Sequence, residues 1–138
     1  MVVLIDTNVI VDFLVKREPY VQEAVRIVDM CSRKLVKGYL AAHTISNLFY
    51  ILRKEFSTQQ RREVLSALCS VFEISEIDQK KIMSALKNDK FADFEDCLQM
   101  ECALEAGAEY IITRNPADFI HSEIPVILPG EFLDMIGK

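Results

Sequence analysis

The chain has 138 residues, of which 51% are hydrophobic and 27% charged, and it carries a formal net charge of −5. This length predicts a single domain over residues 1–138, with a core that needs no disulfide staples. The acidic balance disfavours a protein that coats nucleic acid through a broad basic surface, but not an enzyme that meets a phosphodiester through bound metal. With no basic leader and no uncharged apolar run of eighteen residues, neither a signal peptide nor a membrane span is expected.

The cysteines indicate a reducing environment. No CxxC pair occurs, and only two histidines accompany the four cysteines, which argues against a zinc site and against a disulfide framework. We expect buried free thiols in a cytoplasmic protein at Cys31, Cys69, Cys97 and Cys102.

The first half of the chain alternates apolar strands with amphipathic helices. An apolar run at 2–5 reads as a buried strand, and it stops at Asp6. Helical spacing follows at 9–14 and, after a break at Pro19, at 20–34. A short strand is predicted at 39–42, then a helix that Thr44 caps, then a helix that starts at Ser57 or Thr58.

The second half continues the same alternation. Strands are predicted at 71–74, 110–113 and 125–128, and helices at 78–87, 93–106 and 130–136. Gly107 stands where a helix C-cap needs it, and Asn115-Pro116 marks a turn. Strands that alternate with helices require crossover connections. The predicted fold is therefore a three-layer α/β/α sandwich with a mostly parallel central sheet.

In such a sheet the carboxyl ends of the strands and the amino ends of the following helices share one edge. Several polar side chains should meet there. The expected set contains Asp6, Thr44, Ser46, Asn47, Asp93, Asp96, Arg114, Asn115 and Asp118. His43 falls at the same edge. A structural role, at the start of a helix or in the core, is more common for such a histidine than a contact with phosphate.

These acids also have a purely structural interpretation. Asp6 or Asn8 suits the N-cap of the first helix, and Asp93 with Asp96 resembles a capping box at the positive end of a helix dipole. Their convergence is harder to explain by capping, because clustered carboxylates repel and require either protons or a cation. Oxygen ligands without histidine or cysteine favour Mg²⁺ or Mn²⁺, and such ions point to phosphate-ester chemistry.

Three stretches of the chain resemble PIN-domain proteins, the fold of many small prokaryotic ribonucleases that include the toxins of VapC-type toxin–antitoxin pairs. They are Leu4-Ile5-Asp6-Thr7-Asn8, then Asp93-Phe94-Glu95-Asp96-Cys97-Leu98-Gln99, and finally the run from Ile111 to Phe119. The resemblance implies a ribonuclease that uses Mg²⁺ or Mn²⁺, an RNA substrate, an antitoxin partner and a homodimer.

The resemblance also implies roles for individual residues. Asp6, Asp96 and Asp118 would be catalytic and hold the metal, and Asp93 would lie close enough to assist. Thr113 and Asn115 would support the site by hydrogen bonds to its carboxylates. Arg114 is the one cation that the sequence places beside the acids, and we expect it to contact phosphate.

One position departs from the family, which usually has a glutamate early in the third helix where this chain has Asn47. Asn47 offers an amide oxygen but no charge, so a catalytically weak PIN module that binds RNA or a protein partner is the alternative. A further alternative is a phosphate-accepting α/β domain with Asp6 as nucleophile. Asn8 weakens it, because a second acid belongs two positions after the first.

Overall fold

Five parallel strands form the central sheet of the structure, a computed structural model that describes residues 1–137. They are β1 (Val2–Ile5), β2 (Lys37–Ala41), β3 (Glu73–Ser75), β4 (Tyr110–Ile112) and β5 (Val126–Ile127). Their order across the sheet is β3-β2-β1-β4-β5, and every pairing is parallel. The predicted α/β fold with a parallel sheet is confirmed.

Seven α-helices cover the sheet. They are α1 (Thr7–Leu14), α2 (Val21–Ser32), α3 (Ala42–Ile51), α4 (Thr58–Val71), α5 (Gln79–Lys87), α6 (Phe94–Ala106) and α7 (Pro129–Ile136). Short 3-10 turns follow at Leu52–Lys54 and Pro116–Phe119. None of the helices formed by residues 1–137 has the length and apolarity needed to cross a bilayer.

The strands are buried on both faces, as expected of a parallel sheet. Successive side chains of β1 point to opposite faces, so Val3 and Ile5 join one core while Leu4 joins the other. The first core is filled from α1, α2, α3, α4 and α7, and the second from α5 and α6. This two-sided packing holds β1 and its carboxyl end rigidly in the middle of the molecule.

Two helix termini follow local signals that the sequence displays. Ser57 caps α4 through a hydrogen bond from Gln60 N to its Oγ, and the Gln60 side chain accepts from Ser57 N. Gly107 ends α6 with φ of 69°. This left-handed conformation is open to glycine at little cost, which explains the glycine there.

Other boundaries were predicted incorrectly. α3 begins at Ala42, so Thr44 lies inside the helix, where it is buried and its Oγ1 lies 2.9 Å from Thr7 Oγ1. Val71 belongs to α4, and the strand predicted at 71–74 lies at Glu73–Ser75. Apolar runs fit helix and strand equally well, and tertiary packing decides between them. Cys31, Cys97 and Cys102 are buried free thiols, but Cys69 is exposed.

Candidate functional site

The predicted acids follow the carboxyl ends of the strands, and this edge of the sheet is called the acid edge below. It lies where the strand order reverses, since β2 lies on one side of β1 and β4 on the other. Open α/β sheets bind ligands at such a switch point, outside the carboxyl ends of the strands. Asp6 directly follows β1, and its backbone N–H donates to the Ile112 carbonyl of β4 at 2.9 Å. Thr113 directly follows β4. The two side chains are therefore neighbours although 107 residues separate them in sequence.

Asp6 is almost completely buried, with 6% of its surface exposed. Gln99 Nε2 donates to its Oδ1 at 2.9 Å, and Thr113 Oγ1 donates to its Oδ2 at 2.7 Å. Burial raises the pKa of Asp6, and the hydrogen bonds from Thr113 and Gln99 oppose that rise. Asp6 occupies the N-cap position of α1, and the backbone N–H groups of Thr7 and Asn8 also help to lower the pKa of its carboxyl, although neither forms a full capping hydrogen bond. Capping is therefore only part of its role, because Gln99 and Thr113 bind the carboxylate from other elements.

The Thr113 hydroxyl is the hub of the contacts around Asp6. While it donates to Asp6, it accepts from Asn8 Nδ2 at 3.3 Å and from the backbone N–H of Asn115 at 3.0 Å. Asn115 thus approaches the site through its backbone, whereas its side chain is exposed. A hydroxyl with one donor and two acceptor sites occupied is fixed in orientation, so the Asp6 carboxylate is fixed too.

Three of the predicted acids line one pocket of about 260 Å³: Asp93, Asp96 and Asp118. The pKa of Asp96 is raised from 3.8 to about 7, first by burial and then by the negative charges of Asp93, Asp6 and Asp118. Three of the four predicted metal-binding acids therefore act electrostatically on the fourth. At neutral pH such a cluster holds a proton or attracts a cation.

Asp93 also has a local structural role. It is the N-cap of α6, and its Oδ1 accepts from Glu95 N at 2.8 Å and from Asp96 N at 3.1 Å. The capping explanation is therefore correct for this residue. Because the second oxygen of Asp93 is not used in the cap, capping and a place on the pocket wall are compatible.

Asn47, on α3, contacts the first turn of α6. Its Nδ2 donates to Glu95 Oε2 at 3.0 Å, across 48 residues of sequence. One turn earlier on α3, His43 Nε2 lies 3.1 Å from the Glu95 carbonyl oxygen. Burial lowers the pKa of His43, although the nearby Glu95 charge opposes that change. The neutral histidine and the asparagine hold the first turn of α6 against α3.

Arg114 does not line the pocket of acids. Its Nε donates to Asp12 Oδ2 at 2.6 Å and its Nη2 to Asp12 Oδ1 at 3.2 Å, while the guanidinium lies 4.3 Å from the centre of the Tyr20 ring. Lys90 is the cation that lines the pocket beside Asp93 and Asp96. The sequence therefore predicts a positive charge at this edge in Arg114 but does not predict Lys90, which lines the pocket.

Gln99 and Glu95 received no role from the sequence, although both lie in a stretch that resembles the family. Gln99 follows Asp96 by three residues and therefore lies on the same face of α6. Gln99 is only 3% exposed, and a buried amide requires a hydrogen-bond partner, so its burial indicates a role beside Asp6. Glu95 gave no such signal, because an exposed glutamate in the first turn of a helix is common.

The residues present suit a hard divalent cation by their chemistry. Within residues 1–137 no three His, Cys, Asp or Glu side chains form a ready-made metal cluster, but Mg²⁺ usually takes one or two carboxylates and completes its shell with water and phosphate. Two buried polar atoms in this part of the chain have no hydrogen-bond partner, Gln99 Oε1 and His43 Nδ1. Both belong to residues at the acid edge, so its polar groups are incompletely satisfied by the protein alone.

Comparison with known proteins shows the family of the chain. The family model for the PIN domain matches residues 2–117. No curated protein matches the sequence.

Several solved structures share the fold. The VapBC2 structure from Rickettsia felis, bound to a DNA fragment from its promoter, has a TM-score of 0.70 at 17% identity and covers 93% of this chain and 98% of its own. A toxin–antitoxin complex from Klebsiella pneumoniae has a TM-score of 0.69 at 24% identity, covering 92% and 97%. The sarcin-ricin-loop-cleaving toxin VapC20 from Mycobacterium tuberculosis has a TM-score of 0.62 at 13% identity, covering 79% and 86%.

Proposed function

Because the chain belongs to the PIN-domain family, we propose that it is a Mg²⁺- or Mn²⁺-dependent endoribonuclease that serves as the toxin of a toxin–antitoxin pair. One observation carries the proposal. Asp96 lies at the ligand-binding edge of the sheet, where burial and then the negative charges of Asp93, Asp6 and Asp118 raise its pKa to about 7. A carboxylate cluster of this kind is suited to a divalent cation and, through it, to phosphate oxygens.

Asp6, Asp96 and Asp118 would hold the ion, with Asp93 assisting. A divalent ion held there would supply Lewis-acid charge to a phosphodiester and would activate water for its hydrolysis. Thr113 and Gln99 keep the Asp6 carboxylate in one orientation, and Asn115 supports Thr113 through its backbone N–H. Removal of a hydrogen bond that orients a metal ligand typically lowers metal affinity or activity about 10- to 100-fold.

Phosphate recognition is assigned to the local cations. Arg114 uses two of its nitrogens on Asp12, so Nη1 is the group proposed to reach a phosphate oxygen. Lys90, on the pocket wall, is the second candidate. Both act as single positive charges close to the acids, which agrees with the overall charge of −5.

The partners are proposed from the neighbouring structures. The Mycobacterium tuberculosis toxin is described as cleaving the sarcin-ricin loop, which supports RNA as the substrate class. The Rickettsia felis and Klebsiella pneumoniae structures are toxin–antitoxin complexes, which supports an antitoxin partner. A homodimer and a cytoplasmic location are further proposals that rest on the family resemblance.

Cleavage of a structured RNA with Mg²⁺ or Mn²⁺ tests the function, with Asp6→Asn as the inactive variant. Asparagine keeps an oxygen that accepts from Thr113. Its amide group can donate to Gln99 once the Gln99 amide flips to present Oε1, which has no partner in the wild type, so the fold should persist. Asp29→Asn is the matched control, because Asp29 is an exposed acid on α2 paired with Arg33. We expect metal-dependent cleavage by the wild type and the control, and none by Asp6→Asn. Equal cleavage by Asp6→Asn, or cleavage in chelator, would refute the proposal.

The second candidate is a PIN module that binds RNA without cutting it. The observation that favours it is the Asn47 amide, which faces Glu95 from α3 and brings no charge of its own. Binding and cleavage are separable when the same labelled RNA is followed by gel shift and by denaturing gel. Retention without cleavage at saturating Mn²⁺ would favour this candidate.

The phosphate-accepting alternative has little support from the geometry. A domain of that kind needs a second acid two positions after the nucleophile, whereas Asn8 occupies that position and donates to Thr113 Oγ1 at 3.3 Å. Trapping of an acyl phosphate on Asp6 would reverse this conclusion.

A further inference from the structure

We propose that Glu95 is an additional carboxylate of the metal site and that Asn47 is its positioning residue. The inference rests on the proposed function, because it concerns the same divalent ion. It assigns a role to a residue that the sequence left without one.

Glu95 is fixed at three points although its side chain is exposed. Its backbone N–H donates to Asp93 Oδ1 at 2.8 Å, and its carbonyl oxygen lies 3.1 Å from His43 Nε2. Its carboxylate accepts from Asn47 Nδ2 at 3.0 Å. An exposed glutamate usually samples several rotamers. Here contacts from α3 and from the N-cap of its own helix hold both the main chain and the side chain.

The Asn47 contact determines which part of the carboxylate stays available. Asn47 engages Oε2, so Oε1 is the oxygen that we infer to bind the cation or its water. Glu95 does not itself line the pocket of acids, but it lies one residue before Asp96 and two after Asp93, and both of these line the pocket. α3 therefore supplies the orienting donor and α6 supplies the charge. Sites for hard cations are commonly built in this way: carboxylate oxygens bind the ion, and hydrogen-bond donors on neighbouring residues orient those carboxylates.

A purely structural explanation competes with this one, in which the contact merely ties α3 to α6. The two explanations predict opposite results for Glu95→Gln. Glutamine keeps an oxygen that accepts from Asn47, so the tie survives, but the negative charge is lost. Glu101→Gln is the matched control, because Glu101 lies on the same helix and also accepts a hydrogen bond across helices, from Ser84 Oγ at 3.0 Å.

The experiment is calorimetric titration of the whole protein with Mn²⁺ at one fixed pH, together with urea unfolding in chelator. We expect Glu95→Gln to weaken Mn²⁺ affinity about 10- to 100-fold while unfolding in chelator stays as in the wild type. Asn47→Ala should weaken affinity in the same direction, and Asn47→Ala with Glu95→Gln should be no weaker than Glu95→Gln alone. Glu101→Gln should bind as the wild type does.

The outcomes separate the two levels of the proposal. If Asp6→Asn loses Mn²⁺ binding but Glu95→Gln binds like the wild type, Glu95 is only a tie and this inference is overturned, while the proposed function stands. If the wild type itself binds no Mn²⁺, the proposed function fails and this inference fails with it. A loss of stability in chelator for Glu95→Gln, with Mn²⁺ affinity unchanged, would also assign Glu95 to the fold.

Discussion

Replacement of Asp96 by asparagine should remove a measurable dependence of stability on pH. In the folded protein the pKa of Asp96 is about 7, against an ordinary value of 3.8. Below pH 3.8 both folded and unfolded chains keep the proton, so the full stability is present. Between these values only the folded chain keeps it, and the free energy of unfolding falls by about 1.4 kcal/mol per pH unit. Across about three pH units the loss is on the order of 4 kcal/mol, complete just above pH 7.

Urea unfolding in chelator from pH 4 to pH 8 measures this effect. The wild type should lose stability as pH rises, and Asp96→Asn should lose less, so that the variant becomes the more stable protein at pH 8. The pKa of Asp6 is also raised, and because the two carboxylates repel each other, the difference between the proteins reports Asp96 together with its coupling to Asp6. Excess Mn²⁺ should reverse the order at pH 8, because the ion replaces the proton. Parallel pH profiles for the two proteins in chelator would refute the reasoning.

Three further substitutions test individual contacts by urea unfolding. Thr113→Val removes the hydrogen bond to Asp6 and should lower the free energy of unfolding by about 1–3 kcal/mol. An unchanged urea midpoint would show that this hydrogen bond does not stabilise the fold. Gly107→Ala forces a side chain into a left-handed conformation, with φ of 69°, and should cost about 1–2 kcal/mol. Asp12→Asn should cost about 3 kcal/mol, because it leaves the half-buried Arg114 without its partner. A coupling near zero between Asp12→Asn and Arg114→Met would show that the pair is not coupled energetically.

The sequence predicts the edge of the sheet better than it predicts the helix starts. The apolar run of β1 ends at a carboxylate, and Gly107 marks the end of α6, so both boundaries follow from local chemistry. The start of α3 does not, because Thr44 looks like an N-cap when it is considered alone. Its burial results from packing against α1, where its hydroxyl meets that of Thr7. A contact across 37 residues leaves no local mark on the sequence.

The same distinction applies to the site. The topology of a parallel sheet places Asp6, Asp96 and Asp118 at one edge, and that placement follows from the order of the elements. The hydrogen-bond partners do not follow from it. Gln99 bonds to Asp6 across 93 residues, and Arg114 turns to Asp12 instead of the pocket. Such choices depend on side-chain geometry that periodicity does not encode, because they are set by the packing of distant elements.

Asn47→Glu tests the position at which the chain departs from its family. The new carboxylate would face Glu95, which now accepts from the Asn47 amide at 3.0 Å. Without metal the two charges repel, by about 1 kcal/mol at 4 Å in water and more where water is excluded, so the variant should be less stable in chelator. With Mn²⁺ the added anionic ligand should tighten binding and raise RNA cleavage.

Asn47→Gln is the control for this test, because it changes the length of the side chain without adding charge. Calorimetry with Mn²⁺, urea unfolding in chelator and RNA cleavage should be measured on both variants beside the wild type. Tighter binding and faster cleavage for Asn47→Glu alone would place residue 47 within reach of the ion. If Asn47→Glu is destabilised in chelator but binds Mn²⁺ no better and cuts no faster, position 47 acts only through Glu95. The charge that the site needs is then already carried by α6, and a second one on α3 adds repulsion without a ligand.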